Sequence, residues 1–204
     1  MKNKWKEQAP AGAITRAPDD CPSPQRRKTF KLMACAALAA TAGIRPSFAD
    51  GDGPQVGDLL VRDGDESKTP LTSADVKLEK KQLIVYPLDP KSMTVRDGSR
   101  LNRIIVIKLD PTQMDDKTAP LAADGIIAFS AVCVHQNCDV NGWLPKEKEF
   151  LCVCHFSKYS PLRHGEVTGG PAPRPLPMIP VKLDGDKLVI AGEFNAAPGG
   201  APQA

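Results

Sequence analysis

The chain has 204 residues and a formal net charge of +3, with 20 Pro, 16 Gly and few aromatic side chains. That size suits one or two small globular domains, and the turn-rich composition excludes a coiled coil, a collagen and a polytopic membrane protein. The charge divides unevenly: residues 1–49 hold nine Lys/Arg and three Asp/Glu, residues 50–204 hold 18 and 21, so the body has no electrostatic reason to seek nucleic acid.

Residues 1–49 read as an export segment. Gln25-Arg26-Arg27-Lys28-Thr29-Phe30-Lys31 precedes a 13-residue, Ala-rich run from Leu32 to Ile44. That run has the length of a signal-peptide apolar region and is too short to span a bilayer comfortably. Ser47-Phe48-Ala49 puts small residues where a signal peptidase reads. The Arg pair followed by Phe and Lys resembles a twin-arginine signal, which implies a periplasmic protein, anchored in the membrane if the segment stays uncleaved. Leu32-Met33-Ala34-Cys35 stands at the start of the apolar run, the wrong end for a lipoprotein box. Residues 50–58 read as a polar linker. Their aspartates suggest an EF-hand, but position twelve counted from Asp50 is Val61 and from Asp63 is Ala74. Neither is the bidentate Glu that such a loop needs.

Residues 59–194 read as the folded domain. Short β-branched runs at Leu83–Tyr86, Ile104–Ile107, Gly125–Phe129, Phe150–Val153, Met178–Val181 and Leu188–Ile190 are bounded by Asp, Gly, Pro or Lys. Strands of that length with turn signals between them predict an all-β antiparallel sandwich or barrel. One short helix is expected from Ser73 to Lys81, capped by Ser73 with Asp75 in its first turn. A disordered tail is expected over 195–204, where Gly, Pro and Ala dominate.

The chemistry concentrates in one stretch. Beyond residue 49 the chain has four cysteines, all within 22 residues: Cys133-Val134-His135-Gln136-Asn137-Cys138, then, with sixteen residues between His135 and Cys152, Cys152-Val153-Cys154-His155. One division of this group gives Cys133, His135, Cys152 and His155 to a metal and pairs the other two cysteines. Two sulfurs and two nitrogens suit tetrahedral zinc, and equally a [2Fe–2S] cluster with Cys on one iron and His on the other. The other division makes all four cysteines disulfides, the ordinary outcome in an exported domain, with bystander histidines. His164 fits no ligand spacing and reads as a surface residue, and Trp143 as packing.

The two boxes resemble those of the high-potential Rieske family: Cys-x-His-x-x-Cys and Cys-x-Cys-His, followed by Ser157, Tyr159 and Gly170-Pro171-Ala172-Pro173. The match covers roughly residues 125–192. It implies a Rieske-type β-sandwich or barrel with a small inserted cluster-binding subdomain, whose loops fall at about 130–175. By resemblance Cys133, His135, Cys152 and His155 ligate a [2Fe–2S] cluster, and Cys138 pairs with Cys154. Ser157 and Tyr159 donate hydrogen bonds to cluster or ligand sulfur, and Gly170 and Pro171 begin a stiff loop over it. The chain departs from the commonest pattern at Phe156, where family members most often have Gly. Arsenite oxidase small subunits are similar there. The implied function is one-electron transfer from a catalytic partner, arsenite-oxidase-like, to a c-type cytochrome; the alternative is the quinol-oxidising subunit of a cytochrome bc complex. An oxygenase is excluded, because only His164 remains for its further two-His-one-carboxylate iron site.

Overall fold

A computed structural model describes residues 52–200 of the chain. The expected export segment, Cys21 and Cys35 lie outside the described residues, as do residues 201–204. The described part is all-β, as the strand pattern implies, and its helices are single 3-10 turns. No helix among the described residues is long and apolar enough to cross a membrane.

Twelve strands form two antiparallel sheets. The larger holds β1 (Leu59–Arg62), β2 (Leu83–Asp89), β3 (Thr94–Val95), β4 (Ile104–Lys108), β5 (Ile126–Ser130), β10 (Met178–Ile179), β11 (Val181–Asp184) and β12 (Lys187–Ile190). Its order is β10-β5-β4-β2-β1-β12-β11, with β3 on the flank of β2. The strands at its two ends, β10 and β11, are one sequence run split at Pro180, so the sheet curls back almost onto itself. Proline lacks the N–H a continuous ladder needs, which turns the expected single strand Met178–Val181 into two. The smaller sheet, β6 (Val140–Leu144), β7 (Glu149–Cys152), β8 (Ser157–Ser160) and β9 (Glu166–Gly169), runs in sequence order.

The unbroken apolar runs of β4 and β5 have a structural reason. Successive side chains of a strand point to opposite faces. Ile104, Val106, Ile126 and Ala128 fill the interior of the large sheet with Leu60, Val85, Leu188 and Ile190. Ile105, Ile107, Ile127 and Phe129 face the other way and form a second core with Phe150, Tyr159, Leu176, Cys133 and Cys152. Both faces are buried, so no alternation appears in the sequence. The rings of Phe129 and Phe150 meet edge to face at 5.7 Å and join the two sheets, and Trp143 packs on Phe150 at 5.6 Å.

Three expectations change here. The helix expected over 73–81 is one 3-10 turn, Ser73–Asp75, and its cap is Thr72, not Ser73. Asp75 accepts from the Thr72 backbone at 2.8 Å and hydroxyl at 2.7 Å. Val76 is then buried in extended conformation, and core packing outweighs the weak helical pattern. The end of the expected linker belongs to the domain: Gly57 N–H donates to Ile190, and buried Asp58 accepts from Arg96 Nε at 2.7 Å. The expected tail is ordered through residue 200: Asn195 is bonded to Met178, and Pro198 and Gly199 are buried.

Candidate metal centre

Each box forms one loop. The first leaves β5 and enters β6. An isolated bridge pairs Val132 with Asp139, and within it Cys133 N–H donates to Cys138 O at 2.8 Å and Asn137 N–H to Cys133 O at 3.1 Å. Asn137 takes the left-handed conformation that closes so short a loop, with φ 58°. Asp139 anchors the base through Arg100 at 2.6 Å and Arg103 at 3.1 Å. Burial works to raise the Asp139 carboxyl, but those two guanidiniums outweigh it and hold it below its ordinary value. The second box is the tip of the β7–β8 hairpin. Cys152 and Ser157 face each other as the last register pair, and residues 153–156 make the turn. Phe156 sits at φ 59°.

The tips meet. Cys138 and Cys154 form a disulfide across the two loops. The sulfurs of Cys138, Cys152 and Cys154 lie within 4.8 Å of one another, yet two of the three are spent on that bond. The donors left for a metal group are the free, buried Cys133 and Cys152 and the imidazoles of His135 and His155, whose rings are 4.7 Å apart. Burial pushes the Cys152 thiol up to about 11, and Cys133 beside it adds to the shift, while the Cys154 and His155 N–H groups point at its sulfur. Metal coordination is what deprotonates thiols held like this.

Two polar atoms at the site lack a partner in the protein, which suits a bound group. His135 Nδ1 and Ser157 Oγ are buried with no hydrogen-bond partner in the protein. Two such orphans are costly unless a bound group satisfies them. Tyr159 is fully buried, and its hydroxyl lies 3.0 Å from Cys133 Sγ. Burial first and Cys133 second push that phenol far above its ordinary value, so it stays a donor. Gly170, at φ 80°, closes the far side: a methyl there would sit 2.5 Å from Ser157 Cα and 2.6 Å from Phe156 O, so only glycine lets the loop approach. Ala172 packs into the second core, while Pro171 is exposed.

The structure thus brings Cys133, His135, Cys152, His155, Ser157 and Tyr159 together, with the Gly170 loop behind. His164 is corrected: it is half-buried at a left-handed corner, φ 52°, with its N–H on Thr118 Oγ1 and its Nε2 on Asn195 Nδ2, both at 2.7 Å. Asn137, which was not singled out from the sequence, closes the first-box loop at φ 58°, and the short spacing of that box was the available sign for it.

An all-β domain whose two loop tips gather two thiols, two imidazoles and two buried hydroxyls has the donor set of an iron–sulfur or other metal-binding protein. A sequence model of the Rieske [2Fe-2S] domain matches residues 71–180, more than half of the chain. The chain belongs to the Rieske [2Fe-2S] domain family and is a [2Fe–2S] protein. It is similar to a "Putative respiratory nitrate reductase subunit Rieske" of Haloferax mediterranei, 38% identical over 79 residues, covering 37% of this chain and 35% of that protein. It is also similar to a "Cytochrome b6-f complex iron-sulfur subunit" of Chlorobaculum thiosulfatiphilum, 36% identical over 78 residues, 38% of this chain and 41% of that one. The aligned stretch therefore spans under half the length of these relatives. Among solved structures, a plasma membrane Rieske protein of Synechocystis aligns over 59% of this chain and 95% of its own, with 24% identity and a TM-score of 0.40.

Proposed function

We propose that this protein is a periplasmic, high-potential electron-transfer subunit, passing single electrons from a catalytic oxidoreductase partner to a c-type cytochrome. In this reading Cys133 and Cys152 hold one iron of the cluster and His135 and His155 the other. When bound, the cluster exchanges one electron at a time. Two imidazoles give their iron less charge than two thiolates, which makes it the easier one to reduce; Rieske centres span about −150 to +300 mV against about −400 mV for all-Cys clusters. Tyr159 donates to the Cys133 sulfur, and the orphaned Ser157 hydroxyl is available to a second sulfur. Both favour the more negative, reduced state and shift the potential upward.

The observation that carries the docking half is the tip. Phe156 is 67% exposed and Val153 51%, on either side of His155. A non-glycine residue at positive φ is unusual, and here it displays an aromatic ring to solvent beside a proposed ligand. An apolar rim there suits a transient redox partner. The test mixes reduced protein with an oxidised c-type cytochrome in a stopped-flow instrument. The parent transfers one electron per chain. Phe156→Gly keeps fold and potential but docks roughly tenfold more weakly, from about 1.5 kcal/mol of lost apolar burial. Absence of transfer to any c-type cytochrome contradicts the reading.

The second reading is the quinol-oxidising subunit of a cytochrome bc complex, favoured by the Tyr159–Cys133 contact and by the cytochrome b6-f relative. Quinol oxidation by the purified partner complex, abolished when this chain is removed, decides for it.

A further inference from the structure

Residues 194–200 run from the large sheet to the cluster tip. Phe194 packs on the interior of the large sheet, and Asn195 brackets Met178 with its N–H at 3.0 Å and its Oδ1 at 2.9 Å. Further on, the Arg174 guanidinium, from the loop behind Gly170-Pro171, donates to Ala197 O at 2.7 Å and Gly199 O at 2.6 Å. Gly200 N–H then donates to Asn137 Oδ1 at 2.7 Å. Gly200 lies so close to the first box that a methyl on it would sit 2.8 Å from His135 O and 2.9 Å from Val134 O. One segment thus bonds both walls of the site from outside: the Pro loop through Arg174 and the first box through Asn137.

We propose that residues 197–200 are a strap, held by Arg174 and Asn137 as positioning residues, that locks the first-box loop to the Pro loop and so keeps the His135 ligand from swinging off the cluster. A loop of six residues from Cys133 to Cys138 carries the proposed ligand His135 and opens easily unless its backbone is pinned. The disulfide pins its Cys138 end to the second box. The strap pins its His135–Asn137 side, where the disulfide does not reach. Asn137 serves twice, since it tolerates φ 58° and also offers the acceptor to Gly200. The proposal rests on the cluster and not on the redox partner, so either reading can fail without the other.

The experiment measures iron release from the full, cluster-loaded chain to an iron chelator, with the electron paramagnetic resonance spectrum of the reduced cluster alongside. Arg174→Ala and Asn137→Gly each release iron about tenfold faster, since each loses one or two hydrogen bonds that hold the loop shut. Asn137→Asp keeps both the acceptor and the backbone preference and releases iron at the parental rate. The double variant Arg174→Ala/Asn137→Gly is no faster than the faster single, because the strap leaves as one unit. The spectra of the fast variants broaden, a sign of varied ligand orientation that a general loss of stability would not produce. Gly200→Val, which lifts the strap without altering either positioning residue, gives the same acceleration and stands in if another variant fails to fold. Parental release rates in Arg174→Ala and Gly200→Val overturn the proposal, and so do multiplicative effects in the double variant.

Discussion

Replacing Cys138 and Cys154 together by serine lowers the stability of the folded chain by about 3 kcal/mol, the value expected for a bridge closing a loop of this size. The bridge has a sequence separation of 16 and joins the two loops that form the site. The unfolded chain gains loop freedom when it is absent, and the tips lose the disulfide that ties them. Cys154 is exposed and Cys138 half-buried, so the new hydroxyls reach water and add little penalty of their own. The double substitution is the correct variant. A single one leaves a thiol within 4.8 Å of Cys152, poised to form the wrong disulfide with a proposed ligand. Urea unfolding followed by circular dichroism reads the loss, and visible absorption reads the cluster. The cluster bleaches at lower urea than in the parent. A midpoint equal to the parent's contradicts the structural role of the bridge.

Tyr159→Phe lowers the midpoint potential by about 40 mV while the cluster stays in place. The phenol hydroxyl and the Cys133 sulfur 3.0 Å from it are both buried, and the protonated phenol is the donor of the pair. A hydrogen bond to a charged acceptor contributes more than one between neutral partners. Only its excess in the reduced state enters the potential, and about 1 kcal/mol of excess corresponds to roughly 40 mV for one electron. The sign follows from charge: the reduced cluster is the more negative and gains more from a donor, so removing the donor favours the oxidised form. Because burial and Cys133 keep the phenol protonated, the shift persists into alkaline solution without a break from tyrosine ionisation. Potential is the right measurement because it compares two redox states of one folded protein, so any general destabilisation by the mutation cancels. A potential equal to the parent's removes Tyr159 from the tuning of the site.

Legibility in the sequence tracked burial on both sides. The β4 and β5 runs were readable because each face packs on a core, as was β2, whose Ile84 and Val85 belong to different cores, while β7 and β12 line one core each. β8 was not, since Ser157-Lys158-Tyr159-Ser160 turns its buried hydroxyls toward the site instead of aliphatic carbon. A strand built to serve a cofactor loses the pattern that marks a strand. β6 was hidden by Asn141 and Gly142 and by a register shift between Val140 and Gly142. The two boxes were legible because a disulfide and the proposed cluster ligation require Cys and His at short spacings that packing does not require. The strap was the opposite case. Its composition signals disorder, yet its bonds run through backbone carbonyls and one backbone N–H, which any residue offers. Likewise, spacing could not show that His164 turns a corner; that follows from Thr118 and Asn195, distant in sequence.

The most direct measurement is metal and sulfide analysis of the freshly isolated chain together with electron paramagnetic resonance after reduction. Iron and acid-labile sulfide in equal amounts, with a rhombic low-field signal that disappears in His155→Ala, is the expected result. Zinc in place of iron, a chain lacking labile sulfide, or a signal that survives His155→Ala would contradict the proposed two-thiolate, two-imidazole centre.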